Sequence, residues 1–327
     1  MKKQLRILIW HVHGSYLYYL TQLPHQFYLP SKADRKGDYI GKFGHIPWGD
    51  NVHDVPVDQI KDLELDCIIF QLPHQYLRDQ YEILSVDQQS LPKIYLEHDP
   101  SPHPTNSKHW VDDPNVLVVH VTAYNRLVWD NGRSPTIFID HGVIVPADIK
   151  YTGEIPCGLV AINHLPQRGR TMGCDIYEQA CREVPLNVVG MACEGLSGGL
   201  GEVIFKDLPR FEARYRFFFS PVRYTSFPLA LCEAMMIGLP IVAVGITEIA
   251  TLPNNEVGFI SNRPEELVKG MKVLLQDYPK AHVLGNNAQR YAQDRFNIHR
   301  FIKDWNKALK LSQGYSIHKE FFVSKGG

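Results

Sequence analysis

The residues best suited to chemistry lie in the segment 221–245, where a largely apolar stretch contains one carboxylate. From Ser226 to Leu229 the sequence predicts a turn into a helix, and the first backbone amides of a helix have no intrahelical partner. Such a helix start can bind anions or sugar hydroxyls. Glu233 falls one turn into this helix, among apolar neighbours. It is either a solvent-facing helix carboxylate or a ligand-binding group, and position alone does not separate the two.

A second candidate is the basic loop Arg168-Gly-Arg170-Thr-Met-Gly173, between a predicted strand and a predicted helix. Arginines in such a loop can bind the oxygens of a phosphate group through charge-assisted hydrogen bonds. A solvated basic loop is the alternative interpretation.

The third candidate is His98, in the polar turn that follows a predicted strand at 94–96. Its flanking acids, Glu97 and Asp99, resemble an acidic metal motif, but the surrounding α/β pattern disfavours that role. The pair His11-x-His13 is a weak zinc pattern, since isolated histidines more often serve as core or surface groups. No metal is therefore expected.

The fourth candidate is Gly14, on the first strand-to-helix turn. Glycine permits close approach of the backbone, and the following helix amides favour anion binding. A plain turn is an equally good interpretation. Aromatic residues follow this turn and predict either stacking on a ligand or helical core packing: Tyr16, Tyr18, Tyr19, Phe27 and Tyr28.

These candidates must be positioned by alternating strands and helices in the first half. Leu5–Trp10 is a continuous apolar run, typical of a strand buried in a parallel sheet, and Ser15 is a natural helix N-cap. Residues 30–56 predict an irregular loop or a short hairpin. Further buried strands are predicted at 67–70, 94–96, 116–121 and 137–139.

The same alternation restarts after Pro146. Two doubly wound α/β domains are therefore predicted, 1–145 and 146–311, followed by a tail at 312–327. In the second domain, strands are predicted at 159–162, 186–189, 217–219, 241–244 and 258–261, and helices at 175–184, 208–215 and 229–237, with amphipathic helix to about 311. Ligands of such sheets bind beyond the carboxyl ends of the strands, which predicts a site in a cleft between the two domains.

Bulk composition limits the function classes. The chain has 327 residues and a formal net charge of -1, which disfavours a general nucleic-acid binder. Its six cysteines form no CxxC pair and indicate reduced thiols, and no apolar run reaches the ~20 residues of a transmembrane helix. The apolar run near the start is too short for a signal peptide. We therefore expect a cytoplasmic protein.

The segment 221–245 resembles the signature of family 4 glycosyltransferases, also called glycosyl transferases group 1. The paired glutamates of that signature lie eight positions apart, so the second coincides with Glu233 and the first with Thr225, which is a departure from the pattern. Weaker resemblances extend to 140–143, 245–248 and 287–296. The residues that match the signature at the right spacing are Phe227, Pro228, Leu229, Glu233, Ala234, Met235, Gly238 and Pro240.

The resemblance implies the GT-B fold, in which two Rossmann-like domains face a central cleft. It also implies that Glu233 holds the ribose of a nucleotide-diphosphate sugar and that the Phe227–Leu229 backbone and Thr225 contact the sugar. The remaining implied roles are the donor diphosphate for Arg168 and Arg170 and the phosphate for Gly14. His98 is expected to contact the donor sugar, with help to the acceptor hydroxyl as an alternative, and His98 and Thr225 are the expected catalytic residues.

The implied activity is transfer of a sugar from that donor to a hydroxyl of a glycan, lipid-linked or small-molecule acceptor, with retention and without a cofactor. Polysaccharide or glycoconjugate biosynthesis is the expected setting. The alternative is a non-catalytic sugar-nucleotide-binding protein, motivated by Thr225. An epimerase or dehydrogenase is disfavoured because the sequence contains no GxGxxG fingerprint.

Overall fold

A computed structural model describes residues 3–314. The chain divides into two compact units. The first unit comprises the described residues up to Asp140 together with those from His299 onward, and the second comprises His141–Ile298.

The first unit is built on a sheet of seven parallel strands in the order β3-β2-β1-β4-β5-β6-β7. Its strands are β1 Arg6–Ile9, β2 Gln26–Ser31, β3 Val52–Pro56, β4 Cys67–Phe70, β5 Lys93–Glu97, β6 Val116–His120 and β7 Thr136–Phe138. Its helices include α1 Gly14–Leu20, α2 Gln80–Ile83 and α3 Ala123–Val128, with a π-helix at Gln75–Asp79 and 3-10 turns at Val57–Asp62 and Gln88–Ser90.

The strand order of this sheet reverses between β1 and β4. Ile7 of β1 pairs with Phe27 on one side and Cys67 on the other, and all three side chains are fully buried. In doubly wound sheets the ligand crevice opens at such a reversal, beyond the carboxyl ends of the strands. The segments that leave β1 and β4 are therefore placed to bind a ligand.

The region 30–56 differs from the prediction of a loop or short hairpin. β2 extends to Ser31, and β3 pairs with β2 in parallel, with Tyr28 opposite His53. These strands contain Pro30, His53 and Pro56 and carry partly exposed positions, so they lack the continuous apolar run of a central strand. The prediction was wrong at these strands for that reason.

The expected N-cap at Ser15 was also wrong. α1 begins at Gly14, and His13 occupies the N-cap position in an extended conformation without a capping hydrogen bond from its side chain.

The second unit contains five parallel strands in the order β12-β11-β10-β8-β9. The strands are β8 Ile155–Ala161, β9 Leu186–Val189, β10 Tyr215–Ser220, β11 Ile241–Val244 and β12 Gly258–Ser261. The helices are α4 Leu165–Arg168, α5 Cys174–Cys181, α6 Leu208–Glu212, α7 Leu229–Ile237, α8 Pro264–Gln276 and α9 Tyr278–Arg295, with a 3-10 turn at Thr247–Thr251.

Helix α7 is confirmed with its predicted bounds. It ends because Gly238 adopts a left-handed conformation at φ 103°, which suits a residue without a Cβ atom, and Pro240 then leads into β11. β10 and β11 both contribute to a hydrophobic core of the second unit, in which Phe217 and Phe219 are fully buried.

The last helix, α10 Ile298–Ser312, belongs to the first unit from His299 onward. Its Trp305 is fully buried, and the indole nitrogen donates to the Tyr16 hydroxyl at 3.2 Å. Phe301 packs edge-on against the same Tyr16 ring, with 5.7 Å between ring centroids.

This division differs from the sequence-based one at 141–145 and 299–311, because a helix's amphipathic pattern does not identify the surface against which it packs. Most of the tail expected at 312–327 lies outside the described residues. Within 3–314, no helix has the length and apolar character needed to cross a membrane.

We expect Trp305→Ala to destabilise the first unit by about 3–5 kcal/mol, because it removes a fully buried indole and its hydrogen bond to Tyr16. Urea unfolding measures the loss, and Trp305→Phe should lose less. Lys310→Ala, at an exposed position of the same helix, should stay within about 0.5 kcal/mol of wild type. Equal effects of the alanine variants would contradict the packing of α10.

Candidate functional site

In the second unit the strand order reverses between β8 and β10. The segment after β8 contains α4 and the basic loop, and the segment after β10 runs into α7. Both segments leave carboxyl ends of adjacent parallel strands, where doubly wound sheets bind their ligands. The structure therefore brings together the two segments of the second unit that the sequence singled out.

The turn into α7 leaves backbone amides available at the helix start. The amides of Leu231 and Cys232 donate to the carbonyl of Pro228, at 3.1 and 3.2 Å, and begin the helical hydrogen bonding. Leu229 and Ala230 precede that point, so their amides face the open end of the helix. This end suits a ligand that carries hydroxyls or negative charge.

Two side chains hold this turn through its carbonyl oxygens. The buried His141 donates from Nε2 to the carbonyl of Phe227 at 2.8 Å. Thr247 donates from its hydroxyl to the carbonyl of Ser226 at 3.2 Å. Sequence analysis assigned no role to either residue, although both lie in segments, 140–143 and 245–248, that resemble the family.

Glu233 is buried, with 6% of its surface exposed, which excludes the solvent-facing alternative. A second carboxylate, Glu212 at the end of α6, is completely buried. Within 3–314, neither of its carboxylate oxygens has a hydrogen-bond partner. Burial, and then the charge of Glu233, raises the pKa of Glu212 well above its ordinary value. The pair thus favours a neutral Glu212 beside Glu233.

The basic loop is tied to the segment after β10 by charge. Asp175 pairs with Arg170 at 2.7 Å and with both terminal nitrogens of Arg223 at 2.5 and 2.7 Å. Arg223 also donates to the carbonyl of Arg170 at 2.8 Å. The Arg223 guanidinium, and then Arg170, holds the pKa of Asp175 below its usual range.

The two arginines predicted to bind a diphosphate therefore differ in the structure. Arg170 already has an acidic partner, in an exposed pair of the kind worth at most ~1 kcal/mol. Arg168 is exposed at the end of α4, and its guanidinium forms no ion pair with any residue of 3–314. Sequence reasoning missed Arg223, whose only signal was its position inside the segment 221–245.

A close backbone contact packs the basic loop onto Pro221. Gly173 has φ 77°, and a Cβ atom there would lie 1.9 Å from the carbonyl oxygen of Pro221. Glycine is therefore required at this position for two reasons, its conformation and its contact.

The candidates of the first unit lie at the carboxyl ends of β1, β4 and β5. His98 follows β5, and its Nε2 lies 2.8 Å from Oε1 of Gln71. Gln71 follows β4 and donates to the carbonyl of Trp10 at 2.6 Å. The ring of His13, next to Gly14, lies 4.2 Å from the His98 ring between centroids. Gln71, which sequence analysis did not single out, links these segments.

Glu97 is not arranged as part of an open acidic motif with Asp99. Its carboxylate accepts from the amide of Asp99 at 3.0 Å and lies 3.2 Å from Nε2 of the buried His109. Burial raises the pKa of Glu97.

Comparisons with known proteins agree with this architecture. Residues 177–277 match the family described as "Glycosyl transferases group 1". A curated "Uncharacterized glycosyltransferase" of Haemophilus influenzae is 30% identical over 95 residues, which span 27% of this chain and 26% of that protein. The chain thus spans about a quarter of the length of this curated relative.

Solved structures resemble the chain over nearly its whole length. Sucrose-phosphate synthase from Thermosynechococcus elongatus has a TM-score of 0.68 at 15% identity and covers 96% of this chain and 100% of its own. Anabaena HepE in complex with UDP has a TM-score of 0.66 at 17% identity and covers 94% and 100%.

The two Rossmann-like units therefore form a GT-B fold, as predicted. The resemblance to group 1 glycosyltransferases is confirmed, and the match at 177–277 contains Arg223, the buried Glu233 and the start of α7.

We expect Gly173→Ala to destabilise the second unit by about 3 kcal/mol or more, since it adds both conformational strain and a clash with Pro221. Gly238→Ala is the matched control: it is also left-handed, at φ 103°, but the nearest atom to its Cβ would lie at an ordinary contact distance of 3.5 Å, so about 1–2 kcal/mol is expected. Thermal and urea unfolding measure both losses. Equal losses would show that the contact with Pro221 contributes nothing.

Glu212 predicts a pH dependence of stability. Because its folded-state pKa is raised, the folded protein retains a proton that the unfolded chain releases above about pH 4.5, so the wild type should lose stability as pH rises toward the folded-state pKa. Glu212→Gln cannot titrate, and its stability relative to wild type should increase over the same range. Urea midpoints across pH measure this difference, and a pH-independent difference would contradict the assignment.

Proposed function

We propose that the protein is a glycosyltransferase that moves a sugar from a nucleotide-diphosphate sugar to an acceptor hydroxyl. The observation that carries this proposal is the buried Glu233, one turn inside α7 and next to the open helix start at Leu229. An enzyme of this class needs an acceptor of hydrogen bonds for the ribose and donors for the sugar and phosphates, and the second unit supplies both.

The donor would be held as follows. The ribose hydroxyls donate to the Glu233 carboxylate, which makes charge-assisted hydrogen bonds. Backbone groups of Phe227, Pro228 and Leu229, with the Thr225 hydroxyl, contact the sugar. Breaking the sugar–phosphate bond leaves negative charge on the diphosphate, and Arg168 is positioned to stabilise it without giving up an ion pair in the described chain.

Arg170 has to exchange its pair with Asp175 for the diphosphate, which costs little because that pair is exposed. Asp175 keeps its partner Arg223 during this exchange. We assign His98 a contact to the donor sugar and Gly14 a place near the phosphate, as predicted from the sequence.

Uridine is the first base to test, since the structurally similar HepE has been solved with UDP and with UDP-glucose. We further propose a retaining reaction without a metal or other cofactor, on a glycan, lipid-linked or small-molecule acceptor, within glycan or glycoconjugate biosynthesis. A cytoplasmic reaction agrees with the six cysteines, all of which are free thiols.

One observation favours a second candidate function. Thr225 stands where the family signature has its first glutamate, and a hydroxyl carries no charge. A protein that binds nucleotide sugars without transferring them would retain Glu233 and the basic loop and dispense with that acid.

We expect calorimetry against UDP-, GDP-, ADP- and dTDP-sugars to detect binding of one donor class and Glu233→Gln to weaken it about tenfold or more. The expected loss follows because hydrogen bonds to a charged group exceed those to a neutral amide by about 1 kcal/mol each. Glu265→Gln, an exposed position on α8, is the matched control and should bind like wild type.

Release of the nucleoside diphosphate in the presence of acceptors separates the two candidates. Binding with turnover supports the transferase, whereas binding without turnover for any acceptor supports the non-catalytic protein. If no nucleotide sugar binds, both candidates are wrong.

A further inference from the structure

We propose that Asp38, His74 and Asp79 of the first unit form a binding site for one divalent cation of the zinc type. One ligand atom from each residue, an imidazole nitrogen and two carboxylate oxygens, lies within 4.8 Å of the other two. These residues have no role in the proposed sugar transfer, so the cation site can be tested independently of it.

The spacing of the ligand atoms suits a tetrahedral ion. Nε2 of His74 lies 3.2 Å from Oδ2 of Asp38 and 3.7 Å from Oδ2 of Asp79. With zinc–ligand bonds of about 2.0–2.1 Å, neighbouring ligands of a tetrahedral zinc are about 3.3 Å apart. Zinc accepts imidazole and carboxylate together, whereas magnesium and calcium prefer oxygen ligands alone, so the mixed set favours the former.

The local fold explains why three residues from two segments meet here. His74 immediately precedes the π-helix Gln75–Asp79, and Asp79 is its last residue. Hydrogen bonds in a π-helix join residues five apart, and this wider turn places His74 and Asp79 on one face. Asp38 comes from the connection between β2 and β3. The site would therefore join that connection to the helical segment after β4.

Surrounding polar groups orient the carboxylates. The side-chain amide of Gln75 donates to Oδ2 of Asp38, and its oxygen accepts from the amides of Gln71 and Leu72 at 2.8 and 3.1 Å. The Tyr39 hydroxyl donates to Oδ2 of Asp79 at 2.7 Å. Metal-binding carboxylates are commonly held by such outer hydrogen bonds.

The charge balance also favours a cation. The carboxylates of Asp38 and Asp79 are only 12% and 3% exposed, and like charges at this separation repel each other. Within 3–314, the one Lys or Arg side chain that pairs with either is Arg78, which contacts Oδ1 of Asp79 and is itself 67% exposed. Asp38 faces His74 alone as an ion-pair partner in this part of the chain.

The cluster can be reached from solvent, and a tetrahedral ion bound there would keep one ligand position open. The side chain of His74 is 39% exposed, so an ion can reach its nitrogen from solvent. Three protein ligands leave a fourth position for water, and the ion would balance the two carboxylate charges. Direct hydrogen bonding between His74 and Asp38, without an ion, is the competing explanation for the cluster.

The test uses the full chain without an affinity tag, freed of metal with a chelator. Calorimetry with Zn²⁺ at neutral pH should show one equivalent bound, with a rise in thermal midpoint, and Co²⁺ should give the visible absorption of a tetrahedral site. His74→Gln should weaken binding at least about tenfold, and Asp38→Asn should do the same. His103→Gln, an exposed histidine outside the cluster, is the matched control and should bind like wild type.

Absence of stoichiometric binding overturns the proposal and leaves direct hydrogen bonding between His74 and Asp38 as the explanation. The proposal is also overturned if His74→Gln and His103→Gln reduce zinc binding equally, since the zinc would then lie elsewhere. If Asp38→Asn does not fold, the partly exposed His74 still permits the decisive comparison. Nucleotide-sugar binding, measured in parallel, reports separately on the proposed function.

Discussion

The contact between Gly173 and the carbonyl of Pro221 is the constraint on which the candidate site of the second unit depends. It joins the segment after β8 to the segment after β10, and the pairing of Arg223 with Asp175 reinforces it by charge. Because these segments leave neighbouring parallel strands, their contact places a basic loop and a helix start at one edge of the sheet. The contact leaves no room for a side chain.

Burial and ion pairing decide which of these groups in the second unit carry charge. Glu212 and Glu233 are both buried, and the raised pKa of Glu212 favours its neutral form. The carboxylate of Asp175 is held ionised by two arginines, while Arg168 remains exposed. The edge of the sheet where β8 and β10 end therefore combines Glu233, an acidic group suited to hydroxyl donors, with Arg168, a cation suited to phosphate. A surface with charge of one sign would not provide both.

Sequence patterns predicted the strongly apolar elements well, because burial on both faces imposes a recognisable composition. β4, β9, α7, β11 and β12 occur with the bounds expected for them. β3 was missed, since its partly exposed residues include His53 and Asp54. Among the candidate site residues, Glu233 and Arg168 were singled out by their sequence context, whereas Arg223 and His141 act through contacts with residues that are distant in the chain.

By itself, the sequence determined the class of architecture and the segment that resembles group 1 glycosyltransferases, because hydrophobic periodicity and a short motif are local properties. Only the tertiary structure decided that Glu233 is buried, that Arg170 has an acidic partner, and that α10 belongs to the first unit. Each of these depends on which surfaces meet, and a local pattern contains no information about its distant partner.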